Sequence, residues 1–502
     1  MGAVSLPLRK TVETEMTRTF GAADADRLDA AAGRALDELK PAGFSVGVVT
    51  GAALAWARGY GFADIESRRR QAPELRQRIG SITKTMVGLC LMALVDEGRL
   101  SLDDCLVDHV PEVVFHGDGS AVKLRHLLTH TSGIGEVAMP EDVRALTETL
   151  WSGSADGDVL GLFPRGLTLE IPPGMKWSYA NLGYALLGEV VVRTEQATIA
   201  EVARRRIFAP LGMANTDLLD QPHPDLATGY HRAPGDDERE IRARAGLETP
   251  DEPTVDGLNI RGTYLHVRGG GAAGAVQSTV PDMARYAAAL LTGGGGIVRP
   301  QTFATMIAPH WTPDPRMESW GLSFSRAVRF GRFMFGHGGG VLGGWNSMLL
   351  IVPDEDLALI VHANTTFDDF PKLVSRLLAA TLGAKPPAPV ARAVSPDLLA
   401  SAPGVYEALP GELTNFRVKG AVGRLQIKAA DGALSLHARR GVWKSGVRLS
   451  PVDPADDTFF HIADDDLEPS GLKLVRGGDG AVTGLRYSLV EMVRTDAVPG
   501  WA

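Results

Sequence analysis

Ser81-Ile82-Thr83-Lys84-Thr85-Met86-Val87-Gly88-Leu89-Cys90-Leu91-Met92-Ala93-Leu94-Val95-Asp96-Glu97-Gly98 carries the most information of any segment in this chain. Ile82, Met86, Leu89, Cys90 and Ala93 recur at helical spacing, which predicts an amphipathic helix stopped at Gly98. Ser81 opens that helix, so Ser81 and Lys84 lie one turn apart on one face, where an ammonium can hydrogen-bond a hydroxyl. The N-terminus of a helix also favours negative charge developing beside the serine. S-x-x-K spacing is weak by itself. Ser120-Ala121-Val122-Lys123 and Ser470-Gly471-Leu472-Lys473 share it, but neither opens a long helix. The plain alternative is a capping serine with a surface lysine.

Two further elements weigh against that alternative. Tyr179-Ala180-Asn181 is the only Tyr-x-Asn in the chain, and it sits where a loop enters a helical pattern running from Leu182 to Val192. A tyrosine held beside a lysine has its phenolate favoured by the positive charge, and can take the serine proton as general base. The Asn181 amide can hold a substrate carbonyl or orient the lysine. The third element is His337-Gly338-Gly339-Gly340, within a glycine-rich run from Phe335 to Gly344. Glycines beside a strand let an acyl group lie against the backbone. The N–H groups of Ser81 and Gly340 are the predicted oxyanion hole. Lys444-Ser445-Gly446 fits the same Lys/His-x-Gly pattern and ranks second, because it lies in a different part of the chain.

Working outward, Phe44–Val49 and Ala52–Tyr60 flank Thr50-Gly51 and predict a β-hairpin. Helical patterns recur at Ile199–Phe208 and Pro281–Leu291, and Ser347–Val352 with Leu357–His362 predict two buried strands around Pro353–Asp356. Past Leu382 the character changes. Lys385-Pro386-Pro387-Ala388-Pro389-Val390 is a stiff linker. Alternation around Asp431-Gly432, and again from Leu472 to Val493 around Gly478-Asp479-Gly480, predicts hairpins. These features divide the chain into an extension (1–24), an α/β domain (25–384), a linker (385–396) and a small all-β domain (397–502). The small barrel is expected to fill its own interior and to act as a lid or spacer at the cleft.

Composition excludes several classes. Fifty-one Lys plus Arg against sixty Asp plus Glu leave a charge of −9 and no basic stripe, which argues against a nucleic-acid partner. No apolar run approaches the roughly 18 residues of a membrane span. Met1–Phe20 lacks a secretory apolar core, so a cytoplasmic protein is expected. Two cysteines, Cys90 and Cys105, make no disulfide framework, and the histidines form no metal-binding pattern, so neither metal nor cofactor is expected. Gly43-Phe44-Ser45-Val46-Gly47 matches a hydrolase nucleophile elbow, but Ser45 lies inside a strand. Gly269-Gly270-Gly271-Ala272-Ala273-Gly274 matches G-x-G-x-x-G, but no acidic residue follows about 20 residues later. The acidic stretch Pro234–Glu240 reads as a solvated surface loop.

Taken together, the three elements in this order resemble the serine β-lactamase and penicillin-binding-protein family in its class C-like branch. That branch holds D-alanyl-D-alanine carboxypeptidases, D-aminopeptidases, esterases and acyltransferases. Leu124-Arg125-His126-Leu127-Leu128-Thr129-His130-Thr131-Ser132-Gly133 and Gln277-Ser278-Thr279-Val280-Pro281-Asp282-Met283 are similar to later segments of that family. The resemblance covers about residues 25–382. It implies an antiparallel sheet flanked by helices with a helical subdomain, followed by a lipocalin-like barrel. It also implies Ser81 as acylated nucleophile, Lys84 as its activator, Tyr179 as base, and Asn181, His337, Gly338 and Gly339 as substrate-binding residues. True class C β-lactamases carry lysine where His337 stands. A partly charged histidine grips a carboxylate less firmly, so an esterase, a D-peptidase or amidase, or a peptide-cyclising acyltransferase fits better than antibiotic defence. A true β-lactamase and a non-catalytic sensor or scaffold are the alternatives, and a small-molecule or peptide acyl donor is the expected partner.

Overall fold

A computed structural model of the chain describes residues 20–135, 159–163, 166–232, 256–262, 264, 266–341, 343–385, 392–408, 424–438, 443–463 and 470–495. Most of the 1–24 extension, half of the 385–396 linker and the Pro234–Glu240 stretch lie outside the described residues. Among those described, no helix is long and apolar enough to cross a membrane.

Helix α1 (Ala22–Leu39) leads into strands β1 (Gly43–Thr50) and β2 (Ala53–Asp64), the predicted hairpin, followed by the short β3 (Arg69–Arg70). Helices α2 (Thr83–Asp96), α3 (Asn181–Glu195) and α4 (Val280–Leu291) come next. Strands β4 (Ser319–Trp320), β5 (Ser325–Arg329), β6 (Arg332–Val341), β7 (Trp345–Val352) and β8 (Leu357–Ala363) then precede α5 (Phe370–Leu382). The eight strands make one sheet in the order β4-β5-β6-β7-β8-β1-β2-β3, antiparallel throughout.

Two cores flank this sheet. On one face Phe44, Val46 and Val48 of β1 with Leu359 and Val361 of β8 pack against Leu28, Ala32 and Ala35 of α1 and Leu373, Val374 and Leu377 of α5. On the other, Leu349 and Ile360 meet the helical layer of α2, α3 and α4. Gly47 lets α4 settle on the sheet, since a Cβ there would run into Val280. Ser45 is buried in the middle of β1, so the elbow-like match has no strand-to-helix turn.

Helix α2 differs from its predicted form. Every residue from Thr83 to Leu94 is buried, so the helix is enclosed all round instead of amphipathic. The apolar face read from the sequence is real, but Thr83, Lys84, Thr85 and Gly88 on the other face also meet protein. Gly98, with φ +71°, ends the turn that follows, as predicted. The Ile199–Phe208 helix is regular only to Ala203 and widens to a π-helix over Arg204–Phe208.

After Pro396–Ser401, a short helix, the chain closes an eight-stranded antiparallel barrel from Gly404–Ala408 to Val490–Thr495. Asp431 (φ +50°) and Gly432 (φ +71°) are both left-handed, as a type I′ hairpin turn requires. The Leu472–Val493 segment forms three strands, Ser470–Arg476, Val482–Tyr487 and Val490–Thr495, where one hairpin was expected. Leu425, Ile427, Leu436, Leu449, Phe460, Leu474 and Leu485 are buried in one cluster inside the barrel.

The barrel docks on the first domain at two places. Arg316 pairs with Asp453 (2.6 Å) and Asp456 (2.7 Å) and lies 3.8 Å from the Phe459 ring centroid, while Ser488 donates to Glu318 at 2.6 Å. Lys176 pairs with Glu491 at 3.4 Å, and Trp177 packs against the barrel cluster.

Gly88→Ala improves intrinsic helix propensity but drives a Cβ into Ser323 Oγ in a space with no slack. We expect a net loss of about 1–3 kcal/mol in urea unfolding. A variant at or above wild-type stability would show that α2 is not enclosed on that face.

Candidate active site

Gly80–Ile82 forms one 3-10 turn leading into α2, and Ser81 is buried at its centre. Gly80 has φ +52°, and a Cβ there would lie 2.9 Å from the Gly340 nitrogen, so glycine meets both a backbone and a packing demand. β6 can therefore run directly against the serine turn. β7 is fastened to the same turn by Ser347 Oγ, which donates to the Ile79 carbonyl at 2.7 Å.

Lys84 is fully buried. Its Nζ lies 3.0 Å from Ser81 Oγ, 2.7 Å from Asn181 Oδ1 and 2.6 Å from the Ala273 carbonyl oxygen. An ammonium has three donors, and burying it is tolerable only when they are satisfied. Asn181 Oδ1 and the Ala273 carbonyl oxygen can only accept, so both keep a proton on Nζ directed at them. The third position faces Ser81, where Nζ donates when charged or receives the hydroxyl proton when neutral. The Lys84 nitrogen also lies 5.0 Å from the Tyr179 ring centroid and 5.5 Å from that of Tyr184.

Ser81 and Tyr179 line one cavity of about 370 Å³ together with His337, Gly338, Gly339 and Gly340 of β6, and with Trp320, Ser325, Ser347, Met348 and Phe370. Of the residues singled out in the sequence, Ser81, Tyr179, His337 and the three glycines thus converge on the cavity, with Lys84 directly behind. Asn181, at the first turn of α3, has its side-chain oxygen on Lys84 Nζ. The other S-x-x-K pairs are engaged elsewhere: Ser120 donates to Asp118, Lys123 to Asp103 and Lys473 to Asp456. Lys444 is exposed on the barrel and is not among the described residues lining the cavity.

His337 corrects one expectation. It is not partly charged near neutrality. Burial, with Lys84 nearby, pushes its pKa down to about 3, so the ring is neutral. Nδ1 lies 2.5 Å from the Gly338 carbonyl and therefore carries the proton, which leaves Nε2 as a bare acceptor.

Two participants were missed in the sequence. The Ala273 carbonyl, within the discounted glycine-rich match, holds Lys84; a backbone oxygen leaves no residue-type signal. His130 is buried against Tyr179 with ring centroids 4.1 Å apart. Its segment was noted only for its family likeness, and its distance in sequence from Tyr179 concealed the contact. Among the described residues, no three His, Cys, Asp or Glu side chains gather as a metal ion would require.

The β-lactamase family model matches residues 28–382, and the chain belongs to this family. Esterase EstB of Burkholderia gladioli is 30% identical over 237 residues, 45% of this chain and 59% of that protein. The aligned stretches span 34% to 59% of the length of such curated relatives. Among solved structures, the octameric penicillin-binding protein homologue from Pyrococcus abyssi superposes with TM-score 0.59 at 21% identity, covering 94% of this chain and all of that one. D-amino acid amidase from Ochrobactrum anthropi gives 0.58 at 22%, covering 71% of this chain and 99% of that one. The fold is that of the β-lactamases and transpeptidases, with a barrel appended.

Two predictions follow from the geometry. In Gly339→Ala the new methyl would collide with the Ile79 carbonyl and Ser347 Oγ, forcing β6 away from the serine turn. We expect an activity loss of about 10²-fold, the scale of one oxyanion donor, measured as kcat/KM on a p-nitrophenyl ester; wild-type kinetics would contradict the packing. Separately, burial holds the pKa of His337 at about 3 and that of His362 at about 4. The unfolded chain binds these protons near pH 6.5 and the folded chain only near pH 3–4, so stability falls as pH drops below 6.5. Urea unfolding at pH 7.5 and pH 5 should differ by on the order of 2 kcal/mol per buried histidine. Equal stability at the two pH values would contradict neutral burial.

Proposed function

We propose that the protein is a serine hydrolase that acylates Ser81 with uncharged ester or amide substrates. The observation that carries this reading is the Ser81 hydroxyl in a cavity wall, 3.0 Å from a buried lysine whose other two protons are held by fixed acceptors. A structural capping serine has no need of a buried cation behind it. Ser81 Oγ attacks the substrate carbonyl while its proton passes to Tyr179, supported by the Lys84 charge. The tetrahedral oxyanion rests on the N–H groups of Ser81 and Gly340. Collapse breaks the bond to the leaving group, which takes the proton back from the base. Water then adds to the acyl-serine ester and releases the acid, or an amine or alcohol takes the acyl group instead.

The substrate class follows from the cavity lining. The described lining residues include no lysine, arginine, aspartate or glutamate, and the one imidazole among them, His337, is neutral. A free carboxylate entering this space loses hydration and finds no cation among the described lining residues. Trp320, Met348 and Phe370 favour an apolar acyl or alcohol group. This supports an esterase or amidase over a carboxypeptidase or β-lactamase, and the likeness to an esterase at 30% identity points the same way.

Ser81→Ala should abolish turnover of p-nitrophenyl esters with the thermal transition retained, and unchanged esterase activity would refute the assignment. Across a panel of p-nitrophenyl butyrate, a D-amino-acid amide, a D-Ala-D-Ala peptide and a cephalosporin, the neutral ester should show the highest kcat/KM. Preference for the two carboxylate-bearing compounds would overturn the reading of the cavity.

A further inference from the structure

We propose that His130 is a positioning residue for Tyr179, clamping Ser178-Tyr179-Ala180 at three points. The Ser178 N–H donates to the His130 carbonyl at 2.7 Å, and the Ala180 N–H donates to His130 Nδ1 at 3.2 Å. Between them the Tyr179 ring lies over the imidazole, with centroids 4.1 Å apart and planes inclined by 31°. One residue thus fixes the backbone on both sides of Tyr179 and the face of its ring.

The fold holds His130 in this place against two local costs. Its backbone is left-handed (φ +57°), which is uncommon for a side chain of this size. Its ring is buried, and Nε2 has no hydrogen-bond partner among the described residues. Such costs persist where the surroundings over-determine a conformation. Here Tyr184 and Trp320 wall the ring, with centroids at 5.0 and 5.2 Å. Tyr184 is itself held by hydrogen bonds to the Leu128 carbonyl (3.0 Å) and Ser323 Oγ (2.8 Å). Nδ1 can accept only while the ring is neutral, and burial with Lys84 and His337 nearby keeps it so. A tyrosine partly exposed in a cavity wall has free rotamers to lose; the clamp removes that freedom before substrate arrives.

This inference rests on the reading of Tyr179 as base, and the test separates the two. The full chain is reacted with excess fluorophosphonate, which forms a serine–phosphorus bond as fluoride leaves. The final labelled fraction counts competent molecules, and the rate per competent molecule reports activation of the serine. Tyr179→Phe should slow labelling by about 10³-fold, within the range for a general base. His130→Leu should slow it by about 10²-fold at full final labelling, because a positioning loss of this kind is that large. His130→Asn, which tolerates the left-handed backbone and still offers an acceptor, should recover about tenfold of that loss. The double variant His130→Leu with Tyr179→Phe should be no slower than Tyr179→Phe alone. A purely structural role predicts a smaller labelled fraction at an unchanged rate, and that result overturns the proposal, as does wild-type labelling by His130→Leu. If the leucine variant does not fold, the asparagine variant decides: slowing by about tenfold at full labelling supports the clamp, and the wild-type rate overturns it. Wild-type labelling by Tyr179→Phe would remove the base reading itself, and the clamp with it.

Discussion

A lysine amine with no exposure to solvent is the constraint around which this molecule is arranged. An unpaired charge in that position would be strongly destabilising, so three acceptors must come to it. They arrive from three separate stretches of chain: Ser81 one turn back, Asn181 at the start of α3, and the Ala273 carbonyl. Satisfying one amine therefore brings together the serine turn, the Tyr-x-Asn segment and a glycine-rich turn. The same contacts that make burial of Lys84 tolerable also hold Ser81 in register.

Close packing of backbone on backbone completes the site. Gly80 and Gly339 lack the Cβ atoms that would separate the serine turn from β6. That lets β6 of the eight-stranded sheet form part of the cavity lining. Tyr179, on a loop, and Trp320, on the edge strand β4, line the same cavity and are joined through His130 and Trp177. Trp177 lies between the barrel cluster and the active-site aromatics, 5.5 Å from Trp320 and 6.1 Å from Tyr179 by ring centroids. The barrel cluster thereby touches, through Trp177, the aromatic side chains beside the cavity.

The hairpins were legible because their turns demand particular residues: Asp431-Gly432 announces two left-handed positions, and alternation announces the strands beside them. The gathering of Ser81, Lys84, Tyr179 and His337 was legible because the roles proposed for them, nucleophile, base and glycine-flanked strand, each restrict residue type. The enclosure of α2 was hidden, since Thr83, Thr85 and Gly88 read as a polar or neutral face until their partners are known. The neutrality of His337 was hidden for the same reason: its pKa is set by burial and by Lys84, both tertiary facts. Ala273 and His130 act through a carbonyl and a long-range stack, and local spacing encodes neither.

The central claim is that Lys84 and Tyr179 make the Ser81 oxygen a nucleophile. Its most direct test is peptide mapping by mass spectrometry after brief exposure of the intact protein to p-nitrophenyl butyrate and an acid quench. The account predicts a single butyryl group on the peptide containing Ser81. No adduct with any activated ester, or butyrylation of a different serine or lysine at equal speed, would contradict it.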